Sequence, residues 1–135
     1  MSTIPTQLLE LALEAKSRAL APYSHFRVGA ALRTAAGKIY QAGNIETSSY
    51  GLTLCAERVV LFKALSEGER DFSHIAIATD TDTFCTPCGA CRQVLWDYAR
   101  SVEIVLINSV ESTRFYTLRE LLPDAFGDAT LKNKS

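Results

Sequence analysis

The pattern Cys55-Ala56-Glu57, answered far along the chain by Pro87-Cys88-Gly89-Ala90-Cys91, constrains this sequence more than any other feature. Three thiolates can occupy three corners of a zinc tetrahedron and leave the fourth open for water. A carboxylate beside that corner can move protons on and off the water. Any fold that uses the pattern must therefore bring two distant segments to one point and keep a cleft open there.

The spacing within each segment is informative. Cys88 and Cys91 stand at i and i+3, on one face of the first turn of a helix. That turn carries unpaired N–H groups and the positive end of the helix dipole, and both favour thiolate over thiol. Cys55 opens a second helix in the same way, and Arg58 can offset more of the charge. Glu57, two residues from Cys55, points in a different direction on a regular helix, so its better place is beside the metal and not on it. Cys85 leaves the residues open to other readings. It forms an overlapping Cys-x-x-Cys with Cys88, which fits a redox pair or half of a structural site. With the other three it could complete a closed Cys₄ zinc site or hold an iron–sulfur cluster.

Composition narrows the class. The 135 residues suffice for one domain with a real core, and we read 1–135 as a single domain with a polar tail from about 124. A formal net charge of −1 gives no footprint for nucleic acid, although a local basic patch is compatible with it. The stretch Met1–Thr6 lacks the charge-then-apolar pattern of a secretory signal, and no apolar run approaches the roughly 20 residues of a membrane span. We expect a cytoplasmic protein without a membrane partner, whose cysteines are thiols or metal ligands and not disulfides.

Taken in order, Thr6 to Leu20 has one apolar stripe (Leu8, Leu9, Leu11, Ala12, Ala15, Ala19) and reads as a helix capped by Thr6 and stopped before Pro22. His25–Thr34 and Ile39–Asn44 read as a hairpin, with Gly29 and Gly43 marking bulges or close backbone approach. A polar loop from Asn44 to Gly51 leads to a helix over Cys55–Glu67, ended by Gly68. That helix is apolar almost all round, so a subunit interface is its natural second cover. His74–Thr79 is a strand, Cys88–Tyr98 a helix, Val102–Ile107 a strand buried on both faces, Thr113–Thr117 an edge strand, and Leu118–Leu122 a final helical turn. This order predicts a three-layer α/β/α sandwich around a mixed central sheet of about five strands.

At this point a resemblance can be stated. Tyr23-Ser24-His25-Phe26, Asn44-Ile45-Glu46, Cys55-Ala56-Glu57-Arg58, Pro87-Cys88-Gly89-Ala90-Cys91-Arg92-Gln93 and Glu120-Leu121-Leu122-Pro123 resemble the small homotetrameric cytidine deaminases, over roughly Leu8 to Phe126. The resemblance implies one zinc per subunit on Cys55, Cys88 and Cys91, with Cys85 outside the set. It implies Glu57 as the proton carrier, taking a proton from the attacking water, passing one to N3 of the pyrimidine and later helping ammonia leave. Asn44 and Glu46 match positions that hold ribose hydroxyls, and Phe26 an aromatic packed at the pyrimidine. Tyr50, at the end of the binding loop, and Ala56, beside the first ligand, complete the expected substrate-binding residues. Phe126 matches a tail aromatic that reaches a neighbouring subunit's site, so the resemblance implies a homotetramer with active sites at subunit interfaces. Arg27 departs from the family, where many members carry proline.

The implied activity is hydrolytic deamination of cytidine and deoxycytidine to uridine and deoxyuridine in pyrimidine salvage, with a small nucleoside and water as the only partners besides other subunits. Two rivals stand beside it. One is a deaminase of a different aminopyrimidine such as blasticidin S, against which Asn44-x-Glu46 argues. The other is a non-enzymatic zinc or redox module, which would need neither Glu57 nor the binding loop. Editing of RNA or DNA is disfavoured, because those relatives usually supply histidine as the first ligand and this chain is slightly acidic.

Overall fold

The structure is a computed structural model, and it describes residues 6–127 and 131. The expectation about Met1–Pro5, and most of the expected polar tail, lie outside the described residues. Helix α1 (Thr6–Ser17) is followed by strands β1 (Val28–Thr34) and β2 (Ile39–Gly43), helix α2 (Ala56–Ser66) and strand β3 (Phe72–Thr79). Helix α3 (Gly89–Tyr98), strands β4 (Glu103–Ile107) and β5 (Thr113–Thr117) and the short helix α4 (Leu118–Leu121) complete the order. The sheet runs β2-β1-β3-β4-β5. Only β3 and β4 are parallel, while the other neighbours are antiparallel. The sheet is therefore mixed, with β5 at an edge as its sequence predicts.

Alternation along the strands sorts side chains between two unequal faces. Leu32, Ile75, Ile77, Ile104 and Leu106 point into a large core shared with Val60 and Leu61 of α2 and Leu95 and Trp96 of α3. Ala31, Ala76 and Ala78, with Val105 and Ile107, point the other way, towards Leu8 and Ala12 of α1. Bulky residues thus hold two helices off one face, and small ones let a single helix settle close on the other. Gly29 marks the limit of that approach: a Cβ there would lie 2.2 Å from the Ala12 carbonyl oxygen. Gly43 is nearly as tight, with a Cβ meeting Ala19 Cα at 2.8 Å. Of the two expectations for these glycines, close backbone approach is the correct one.

Element boundaries differ from the sequence reading where loops are held by side chains. Thr6 already lies within helix α1 and is not its cap, and the helix ends at Ser17, before Leu20. Leu20 instead forms an isolated bridge with Ile45. His25–Arg27 lie outside β1, in a turn held by Glu46, which accepts from the N–H groups of Tyr23 and Ser24, and by Asn44, which accepts from Val28 N–H and donates to Phe26 O. Helix α2 ends as expected, since Gly68 N–H reaches Leu65 O (3.0 Å) and Glu69 N–H reaches Ala64 O (3.1 Å), the paired bonds of a Schellman motif. Its buried side is Ala56, Glu57, Val60, Leu61 and Ala64, and Phe62 is turned outward. Helix α4 carries a capping box between Thr117 and Glu120 that the sequence reading did not identify. Among the described residues, no helix is long and apolar enough to cross a membrane.

Candidate active site

Cys55 and Cys88 are the N-cap residues of α2 and α3, both in extended conformation. The approach to Cys55 is fixed by a two-bond bridge between Ile45 and Leu54, at 3.0 and 2.9 Å. The approach to Cys88 is fixed by Arg92, whose guanidinium donates to Pro87 O, Leu121 O and Thr86 Oγ1, each at 2.7 Å. Both helices therefore start at defined points, and their first turns meet.

Their meeting gathers the sulfurs of Cys55, Cys88 and Cys91 within 4.8 Å of one another. Cys55 Sγ lies 3.8 Å from Cys88 Sγ, which in turn lies 3.3 Å from Cys91 Sγ. Zinc–sulfur bonds in a regular tetrahedron put sulfurs about 3.8 Å apart, so the spacing suits that ion. Without a cation the three thiols cannot all ionise at such range. The hydrogen bond from Cys91, helped by Arg58, brings the Cys55 thiol down to about 5. The bond to Cys55 and burial push the Cys91 thiol up instead. Arg58 Nη2 lies 3.6 Å from Cys55 Sγ, the charge-offsetting position its sequence place suggests.

Cys85 stands apart from this group. Its sulfur lies 3.2 Å from Thr81 Oγ1, and it lines the neighbouring cavity wall. The geometry gathers three thiols with an open side and gives no closed four-sulfur cage. Glu57 is buried beside them, and its Oε1 has no hydrogen-bond partner among the described residues. Burial, and then the charge on Cys55, raise its carboxyl to about 7. A buried acceptor left unpaired is costly, so a group that supplies a proton to it is expected in the working state.

The open side faces a cavity of about 270 Å³ that runs from Cys55, Glu57 and Cys88 to Phe26, Asn44 and Glu46. Asn44 is buried; its Oδ1 accepts from Val28 N–H (2.9 Å) and its Nδ2 donates to Phe26 O (3.0 Å). Glu46 Oε1 accepts from the N–H groups of Tyr23 (3.0 Å) and Ser24 (3.1 Å), and Oε2 accepts from the Ser24 hydroxyl. Those Ser24 bonds lower the Glu46 carboxyl below its ordinary value. Both residues thus hold the turn that presents Phe26 as well as facing the cavity. Arg27, the departure from the resemblance, donates its N–H (3.1 Å) and its Nε (3.2 Å) to Asp80. A proline in its place would have no N–H to give.

Other expected contacts fall outside this cavity. Tyr50 lines an adjoining hollow with Tyr23, Ser24, Glu46 and Thr53, its ring edge-on to Tyr23 at 6.1 Å. The Ala56 side chain is buried, so that residue can offer only main-chain atoms. Phe126 is 56% exposed in a different hollow, with its carbonyl taking a bond from Gln93 Nε2 at 2.8 Å. The structure does not bring it to the cavity of its own chain. Six lining residues escaped the sequence reading: Val28, Thr53, Leu54, Ile77, Thr79 and Thr86. Val28 and Thr79 face each other across β1 and β3, a register that no local motif announces.

Comparison with known proteins decides what this arrangement belongs to. Residues 2–107 match the family model described as the cytidine and deoxycytidylate deaminase zinc-binding region. This chain belongs to the cytidine deaminase family. It is 47% identical over 120 residues to a cytidine deaminase of Halalkalibacterium halodurans, covering 88% of this chain and 91% of that one. It is 44% identical over 128 residues to a probable cytidine deaminase of Dictyostelium discoideum, covering 94% and 86%. A crystal structure of cytidine deaminase from Burkholderia pseudomallei superposes with a TM-score of 0.88 at 45% identity, covering 92% of this chain and all of that one. This cytidine deaminase family member is accordingly a hydrolytic enzyme, and its three-thiol group agrees with zinc as the cofactor.

Proposed function

We propose that the protein deaminates cytidine and deoxycytidine to uridine and deoxyuridine, consuming water and releasing ammonia, as a step of pyrimidine salvage in the cytoplasm. The observation that carries this reading is the cavity itself. A buried Glu57, whose Oε1 lacks a partner among the described residues, and three thiols stand at one end, with Asn44, Glu46 and Phe26 at the other. Zinc held by Cys55, Cys88 and Cys91 supplies Lewis acidity that makes water nucleophilic at neutral pH.

The chain's own groups do the rest. Glu57, raised to about 7, is suited both to accept a proton from water and to deliver one to pyrimidine N3. The same carboxyl then carries a proton to the departing amino group. Phe26 packs against the ring. The Asn44 amide has one donor and one acceptor position beyond its bonds to the main chain, and these suit ribose hydroxyls. Glu46, held ionised, accepts from a hydroxyl and has nothing to offer a neutral apolar group.

We also read the assembly as a homotetramer with sites shared between subunits. Phe62 on the outer side of α2, Tyr50 and Leu52 near the cavity, and Phe126 are all exposed, an arrangement that suits burial against other copies. The decisive experiment follows cytidine absorbance and ammonia release with purified, zinc-loaded protein, repeated after chelation and with blasticidin S as rival substrate. Turnover of cytidine that is lost on chelation is expected. Turnover of blasticidin S alone would overturn the substrate assignment, and a monomer in sedimentation would overturn the shared site.

A further inference from the structure

The cavity is held at its ribose end by Ser24, a residue of the Tyr23–Phe26 motif to which the sequence reading gave no role of its own. The Ser24 hydroxyl donates to Glu46 Oε2 and accepts the N–H of Phe26 at 3.0 Å. The Ser24 main-chain N–H donates to Glu46 Oε1 at 3.1 Å, beside that of Tyr23 at 3.0 Å. Between Ser24 and Phe26, His25 sits in the left-handed region with φ of 60°. A non-glycine residue stays there only where surrounding bonds over-determine it. The bond from Phe26 alone would be an ordinary local turn. The bond to Glu46 is different, because it ties that turn to a carboxylate on another loop that faces the cavity.

We propose that Ser24 is a positioning residue for nucleoside binding, its single hydroxyl orienting the Glu46 carboxylate towards the ribose while fixing the main chain that carries Phe26. The proposal rests on the nucleoside reading above. Three of the roughly four lone-pair positions of Glu46 are occupied by this turn, which leaves one for a substrate hydroxyl. A carboxylate so held needs no reordering when substrate arrives, so the gain is in binding and not in the proton transfers at Glu57. Ser24 also keeps Glu46 ionised towards acid. The other charged or titratable groups around Glu46 are His25 and Arg27 on the same turn, Tyr23 and Tyr50 across the adjoining hollow, and Glu57, Cys55, Cys85 and Cys88 across the cavity itself. Of these, His25 adds to the lowering of the Glu46 carboxyl.

The test is Ser24→Ala in the zinc-loaded enzyme, assayed on cytidine from neutral pH towards acid. We expect KM to rise roughly tenfold, the loss of one hydrogen bond to a charged group, with kcat within about twofold. The fall of 1/KM on acidification should begin at a higher pH than in the parent, because Glu46 then protonates more readily. Ser24→Thr should restore both. An unchanged KM, an equal loss in kcat, or a raised KM whose acid limb stays in place would overturn the proposal, the last by showing a merely structural turn. Failure of the parent enzyme to deaminate cytidine would overturn the nucleoside reading itself, which separates the two.

Discussion

At the metal end of the cavity, Glu57 Oε1 is buried without a partner and three sulfurs crowd within 4.8 Å. At the opposite end, both polar atoms of the Asn44 amide and both oxygens of Glu46 are engaged by main chain or by Ser24. The two ends lie in one cavity and are built in opposite ways. One holds groups whose best partners are a cation, water and a proton in transit. The other is finished before any ligand arrives. Chemistry needs groups that change state, whereas recognition needs groups that do not move. The chain separates the two needs along one cavity.

Replacing Glu57 by Gln should give the largest effect, and it breaks the comparison most directly. If Glu57 carries the proton, its loss should cost about 10²–10⁴ in kcat while zinc content and melting temperature hold, since Gln keeps the size of the side chain and Oε1 has no partner to lose among the described residues. A large stability loss with kcat preserved would show that the metal end is structural. Asn44→Ala should behave in the reverse sense. It orphans Val28 N–H and Phe26 O, so stability should fall by about 1–3 kcal/mol in denaturant titration, alongside a raised KM.

The outer support of the same turn gives a smaller, pH-dependent effect. Burial would raise Asp80, but Lys16 and Arg27 outweigh it and hold the carboxyl below its ordinary value. A lowered folded-state value means stability that is present above the unfolded pKa and lost as pH falls through the folded one. Asp80→Asn should therefore be less stable than the parent at neutral pH by under about 1 kcal/mol, with the two converging in acid; a constant gap would refute the ion pairs' role. Smallest of all, Cys85→Ala should leave one zinc per subunit and shift stability by less than about 1 kcal/mol, because it removes only a weak bond with Thr81. Loss of metal in that variant would return Cys85 to the ligand set.

Much of this was legible in the chain. Sequence pattern announced the strands and α-helices in order but not the short 3₁₀ turn Tyr50–Leu52, and Gly68 marked the end of α2 where its positive φ of 96° favours glycine. The spacing of Cys88 and Cys91 placed both at the first turn of α3, although the helix starts at Gly89 and Cys88 is its cap and not its first residue. What could not be read came from register and from side chains acting on loops. Local pattern does not say that Val28 meets Thr79, nor that Asn44 and Glu46 reach back to residues 23–28. For the same reason the sequence could not decide where the Cys85 side chain points. A residue outside regular structure takes its direction from a partner, here Thr81, that no helical or strand period specifies.

Strand β1 pairs on one edge with β2, its hairpin neighbour, and on the other with β3, which follows only after a whole helix. The consequence is kinetic. Closing a short loop costs less chain entropy than closing a long one, so the hairpin forms readily and waits with one edge bare. Until β3 docks on that edge and β4 on β3, the caps of α2 and α3 have no reason to be neighbours. The catalytic cavity is then among the last parts of the molecule to exist, and pulsed hydrogen exchange should find the β1–β2 amides protected before those of β3 and β4.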